Sequence, residues 1–107
     1  MFTRVVDIRT KQGKNREFST ILNEKVLPIL RKQPGFVDEI TLVSNHEPDR
    51  VLALSFWDSE QAAERYHSEQ YSTITEILKP VLDNTPRVQT FEVDTSTTHH
   101  IVKGKAA

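Results

Sequence analysis

The stretch Val51-Leu-Ala-Leu-Ser-Phe-Trp57, followed directly by Asp58-Ser-Glu-Gln61, constrains this chain more than any other. It is almost continuously apolar, far too short for a membrane span, and built of residues that suit a strand with both faces covered. Asp58 ends it. Its carboxylate is placed to accept a backbone N–H at the start of a helix, and Gln61, three residues on, is placed to reach back in a capping box. The pattern predicts a strand running into a capped helix, with the single tryptophan, Trp57, at the junction and Tyr66 and His67 further along the helix.

Periodicity supplies the other elements. Phe2 to Arg9 alternates imperfectly and reads as a first strand, with Gly13 punctuating its end. From Lys14 to Arg31, apolar residues fall at Phe18, Ile21, Leu22, Val26, Ile29 and Leu30, the spacing of one helix face. Pro28 lies inside that helix, lacks an N–H and crowds the Glu24 carbonyl, so a kink is expected there. Lys32-Gln33-Pro34-Gly35 stops the helix. Phe36 to Ser44 reads as a second strand, Asn45 to Asp49 as a polar loop, and Arg50 to Trp57 as the third strand of a hairpin. The second helix carries its apolar stripe through Ala63, His67, Tyr71, Ile74 and Leu78, with Ser68 a weak point midway and Pro80 near its end. Arg87 to Val93 alternates as a fourth strand. The pattern then fails, which divides the chain into a domain at 1–94 and a tail at 95–107.

That order, β-α-β-β-α-β, predicts an α+β fold, a ferredoxin-like sandwich of four antiparallel strands with two helices on one face. The third strand is apolar on both sides, Leu52, Leu54 and Phe56 against Val51, Ala53 and Trp57. The second strand behaves alike, with Phe36, Ile40 and Leu42 opposite Val37 and Val43. A sheet covered by helices on one side only would leave an apolar face bare, which predicts a homodimer packed sheet against sheet. The 107 residues suffice for one domain. With 14 basic and 15 acidic residues there is no net field to hold nucleic acid or a membrane surface. The absence of cysteine excludes disulfides, thiolate metal sites and cysteine nucleophiles. Met1-Phe-Thr-Arg4 enters a strand at once without a leader pattern, so a cytosolic protein is expected.

Several motifs together resemble the antibiotic biosynthesis monooxygenase family of dimeric α+β barrel proteins. They are Gly13 before the first helix, Pro34-Gly35-Phe36 opening the second strand, Phe56-Trp57-Asp58-Ser59 with Ala62 at the second helix start, and the closing Phe91-Glu92-Val93. The resemblance covers roughly residues 2–93. It implies a dimer, a cleft between helices and sheet, and a tail that embraces the partner. It also implies one of several activities, including cofactor-independent oxygenation and haem degradation. Where the haem-degrading branch carries a tryptophan, a proximal histidine and an asparagine, this chain has Tyr66, Glu76 and Val6, which argues against haem. Matched pocket positions of the polyketide-oxidising branch hold Ala53 and Ala63.

Five residues are candidates for the cleft. His67, on the apolar stripe, is either a satisfied boundary histidine or a neutral base that takes a proton from a phenol or enol. Tyr66 or Tyr71 would orient the substrate oxygen. Trp57 is either a core aromatic or a stacking platform for substrate. Arg4, which shares a side of the first strand with Val6, either snorkels or binds an anionic group at the cleft mouth. Asp7, on the opposite side, reads as a solvated or interface carboxylate. His46, His67, His99 and His100 have no chelating spacing, and three scattered glycines form no phosphate loop, so neither metal nor nucleotide cofactor is expected. The expected ligand is a small apolar or aromatic metabolite, and the expected activity is cofactor-independent oxygenation of an aromatic or quinol-type substrate. The competing expectation is a non-catalytic dimeric binding module.

Overall fold

The computed structural model describes residues 1–102. Strand β1 (Phe2–Arg9) leads into helix α1 (Asn15–Ile21), a π-turn (Leu22–Val26) and helix α2 (Leu27–Arg31). Strands β2 (Phe36–Val43) and β3 (Arg50–Trp57) form the hairpin. Helices α3 (Glu60–Glu69) and α4 (Tyr71–Leu78), a 3-10 turn (Lys79–Val81) and strand β4 (Arg87–Glu92) complete the order. The sheet runs β2-β3-β1-β4 and every pairing is antiparallel. The chain therefore has the ferredoxin-like α+β architecture, with each helical arm broken into two segments. No helix among the described residues is long and apolar enough to cross a membrane.

The breaks have local causes. The π-turn lies immediately before the segment that has Pro28 in its first turn. A proline ring crowds the carbonyl four residues back, and widening the preceding turn relieves that crowding instead of a sharp kink. The widening also keeps Phe18, Leu22, Val26 and Leu30 buried in one line, because the extra residue offsets the drift of an i, i+4 stripe on a 3.6-residue helix.

Three expectations are corrected. The helix cap is Ser59, one residue later than Asp58: Ser59 is extended and its Oγ accepts the Ala62 N–H at 3.2 Å. The Asp58 N–H instead donates to the Gly35 carbonyl at 2.8 Å, tying the junction to the end of the first helical arm. Gly35 suits this approach, with φ +80° and no room for a Cβ beside Ala62. Second, the helix breaks at Gln70 rather than at Ser68, and the buried stripe runs through Ala63, Tyr66, Ile74 and Leu78, leaving His67 exposed. Third, a β-bulge between Phe36 and Asp38 flips the face of β2, so that Phe36 joins Trp57 on the helix side while Ile40 and Leu42 face away.

The helix-side core is Phe2, Ile8, Val51 and Trp57 from the sheet, packed on Phe18, Leu22, Val26, Leu30, Ile74, Leu78 and Val81. The opposite face carries Val5, Leu52, Leu54 and Phe56 at its centre, with Ile40, Leu42 and Phe91 each about half exposed. A salt-bridge network of Asp7, Arg50, Glu47 and Arg9 borders it. Beyond β4, Val93, Thr95 and His99 share a depression with Ile40 and Phe56, so the tail returns toward this face. Residues 103–107 of the expected arm lie outside the described residues.

Candidate functional site

Strand pairing builds the floor of the site. Arg4 of β1 is opposite Ser55 of β3 and Thr90 of β4, and Ser55 is opposite Glu39 of β2. Residues directly opposite in neighbouring strands share a face. Thr90, Arg4, Ser55 and Glu39 therefore form one polar row across the helix side of the sheet. The flanking rows are Val88, Val6, Ala53 and Thr41 on one side, and Phe2, Trp57 and Phe36 with Glu92 on the other.

Helices α3 and α4 lower aromatic side chains onto that row. Arg4 is only 2% exposed. Its guanidinium lies over the rings of Tyr66 and Tyr71, 5.1 and 4.7 Å from their centroids. Its Nη2 is 3.0 Å from His67 Nδ1. A guanidinium only donates, so Nδ1 is the acceptor and the neutral imidazole carries its proton on Nε2. His67 also stacks on Tyr71, with centroids 5.0 Å apart. Among the described residues no carboxylate forms an ion pair with Arg4. The break at Gln70 allows this convergence, because Tyr66 and Tyr71 approach the same cation from two helices.

Between this cluster and the core is a cavity of about 50 Å³, lined by Arg4, Glu39, Ser55, Tyr66 and Tyr71 together with apolar residues of both helical arms. Two open grooves reach the cluster from outside. One, of about 260 Å³ between α3 and β4, includes Arg4 and His67, and the other, of about 610 Å³ along α4, includes His67 and Tyr71. Arg4, His67 and Tyr71 thus form the wall between the inner cavity and the surface.

The electrostatics follow from burial. Desolvation lowers the Arg4 pKa from its ordinary value, opposed by the two phenols. Partial desolvation of the otherwise exposed His67 ring holds it below the usual histidine range, and the Arg4 charge adds to this. Burial pushes the Tyr66 phenol up to about 12, against the pull of Arg4. Tyr71 is also raised by burial, and its Oη is buried with no hydrogen-bond partner. Glu39 is raised by burial despite the Thr41 hydroxyl that donates to its Oε2 at 2.8 Å.

The structure brings Arg4, Tyr66, His67 and Tyr71 together. Trp57 differs: it is 0% exposed, its Nε1–H donates to Ser55 Oγ at 2.9 Å, and it lines none of these spaces. It packs behind Tyr66, the place of a core aromatic. Sequence reasoning missed Ser55 and Glu39. Ser55 had a visible signal, as the one hydroxyl in the apolar run 51–57. Glu39 had none, because the bulge that turns it inward leaves no mark in the alternation.

The chain is thus an α+β sandwich with a small cavity between helices and sheet, floored by the buried Arg4. The family model for antibiotic biosynthesis monooxygenase matches residues 1–73, and the chain belongs to that family. Solved structures with the same fold include SnoaB, a cofactor-independent oxygenase from Streptomyces nogalater, at 17% identity and TM-score 0.75 over 92% of this chain and 97% of that one. A Bordetella bronchiseptica protein titled as an antibiotic biosynthesis monooxygenase aligns at 12% identity and TM-score 0.76, covering 88% of this chain and 97% of its own. A conserved protein from Methanosarcina mazei aligns at 20% identity and TM-score 0.69, covering 85% and 91%. No curated protein matches the chain.

Proposed function

We propose that this protein is a cytosolic, homodimeric, cofactor-independent oxygenase of small phenolic or quinol-type aromatics, with Arg4 stabilising the substrate oxyanion. The observation that carries the reading is the buried Arg4 guanidinium, held between two tyrosine rings and a neutral imidazole without a carboxylate partner among the described residues. A buried cation without a counter-ion is costly, and a bound anion would offset that cost.

A phenol entering at the Arg4–His67 contact would donate its proton to Nδ1 while its oxygen receives the Arg4 N–H. The charge developing on oxygen is stabilised by a guanidinium that is itself desolvated, which raises its electrostatic value. The Tyr66 hydroxyl, protonated at any physiological pH, donates to the same oxygen. The electron-rich para carbon of the phenolate then forms a C–O bond to O2. The peroxide takes the proton held by His67 and loses water, so that phenol and O2 give para-quinone and water. The substrate supplies every electron. The dimer forms through the apolar sheet faces, with the tail as an arm.

A non-catalytic binding module is the alternative, and the size of the cavity bears on both readings. The cavity, about 50 Å³, is well below the ~300 Å³ lower range of small-molecule pockets. Oxygen uptake by metal-free, flavin-free protein with a panel of phenols, read with ¹⁸O2, separates the two. An oxygenase incorporates label into the quinone, and a binding module shows saturable binding without uptake above background.

A further inference from the structure

We propose that Glu39 determines which ligands the cavity accepts, by hydrogen-bonding a hydroxyl at the far side of a ring whose anionic oxygen is held by Arg4. The proposal rests on the Arg4 anchor above and assigns the second half of the same site. Glu39 is on β2, with β3 between it and β1, so its Cα is two strand spacings, roughly 9–10 Å, from that of Arg4. Both side chains line one cavity whose other walls are mainly apolar. A single ring with an oxygen at each end would reach both side chains once the cavity, about 50 Å³, widens to admit it.

A glutamate is a poor choice for this position on other grounds. It is disfavoured in strands and costly on an inward face, and among the described residues no cation pairs with it. The Thr41 hydroxyl satisfies Oε2, leaving Oε1 without a hydrogen bond among the described residues. Tyr71 Oη, which lines the same cavity, is buried and unpartnered. Glu39 Oε1, across the sheet from Arg4 in the same cavity, marks where a ligand hydroxyl would sit. Burial favours the protonated carboxyl, which both donates and accepts.

The test is an NMR titration of ¹⁵N-labelled protein with 4-hydroxybenzoate and with benzoate, which differ only in that hydroxyl. Wild type is expected to bind 4-hydroxybenzoate about tenfold more tightly, the value of one good hydrogen bond, with shifts at the Ser55 and Tyr66 amides. Glu39→Val, which restores a strand-favouring apolar residue, is expected to abolish that tenfold preference while keeping benzoate affinity. Arg4→Gln is expected to weaken both compounds alike. A preference that survives Glu39→Val, or equal affinities in wild type, overturns the Glu39 assignment and leaves the Arg4 anchor standing. Failure of both compounds to bind, or binding indifferent to Arg4→Gln, overturns both.

Discussion

Tyr66 stacks on Trp57 with ring centroids 4.9 Å apart and planes inclined by 29°, so the phenol at the cavity wall is backed by a fully buried indole. The indole is in turn fixed by its hydrogen bond to Ser55 and by the edge of Phe36 at 5.6 Å. Deleting either stacked ring removes core volume, and deleting the phenol oxygen does not. Tyr66→Ala and Trp57→Ala are each expected to lose about 3–5 kcal/mol in denaturant titrations. Tyr66→Phe is expected to keep its midpoint while turnover falls at least tenfold. A Tyr66→Phe protein with full turnover would remove Tyr66 from the chemistry.

Arg4 is retained at a buried position without an ion pair among the described residues. Replacing buried charge by a well-packed apolar side chain is often neutral or stabilising by up to ~4 kcal/mol. Arg4→Met is therefore expected to melt no lower than wild type and to lose ligand binding. Severe destabilisation would make Arg4 a structural residue held by its tyrosines.

His67 supplies a pH window. Its folded pKa is depressed below the ordinary value near 6.5, first by partial desolvation and then by Arg4. The unfolded chain therefore binds the proton more readily, so the His67 contribution is fully present above about pH 6.5 and is lost as pH falls through the folded value. Thermal scans at pH 7 and pH 5.5 are expected to show a larger drop for wild type than for His67→Gln. Equal drops would remove His67 from the linkage. Glu47, also lowered by its contacts with Arg50 and Arg9, acts only at more acidic pH and is common to both proteins.

Leu54 is at the centre of the uncovered sheet face, between Val5 and Ile40. Leu54→Lys places a charge in the expected dimer interface without touching the cavity side. Analytical ultracentrifugation is expected to find a dimer for wild type and a monomer for the variant. A monomeric wild type would leave the apolar face to another partner.

Much of this fold was legible locally. The strand 50–57, the hairpin and the arm through Phe18, Leu22, Val26 and Leu30 follow from patterns that neighbouring residues set. The misreadings share a cause. Asp58 and Ser59 are both good caps, and the tie between the Asp58 N–H and Gly35, distant in sequence, selects Ser59. The stripe through His67 assumed one continuous helix, whereas the break at Gln70 turns Tyr66 inward and leaves His67 at the rim. Glu39 faces the cavity only because of a bulge set by pairing with β3. Arg4 could be placed on its strand face from alternation, but its enclosure by two tyrosines from separate helices is a tertiary fact.

The most direct test of the central claim is the ionisation of a bound phenol, followed by the absorbance of 4-nitrophenol in complex with wild type and with Arg4→Gln. If the buried guanidinium stabilises the phenolate, the pKa of the bound phenol falls by about one unit or more, the equivalent of at least ~1.4 kcal/mol, and Arg4→Gln returns it to the free value. An unshifted pKa in wild type, or a shift that persists without Arg4, would contradict the account.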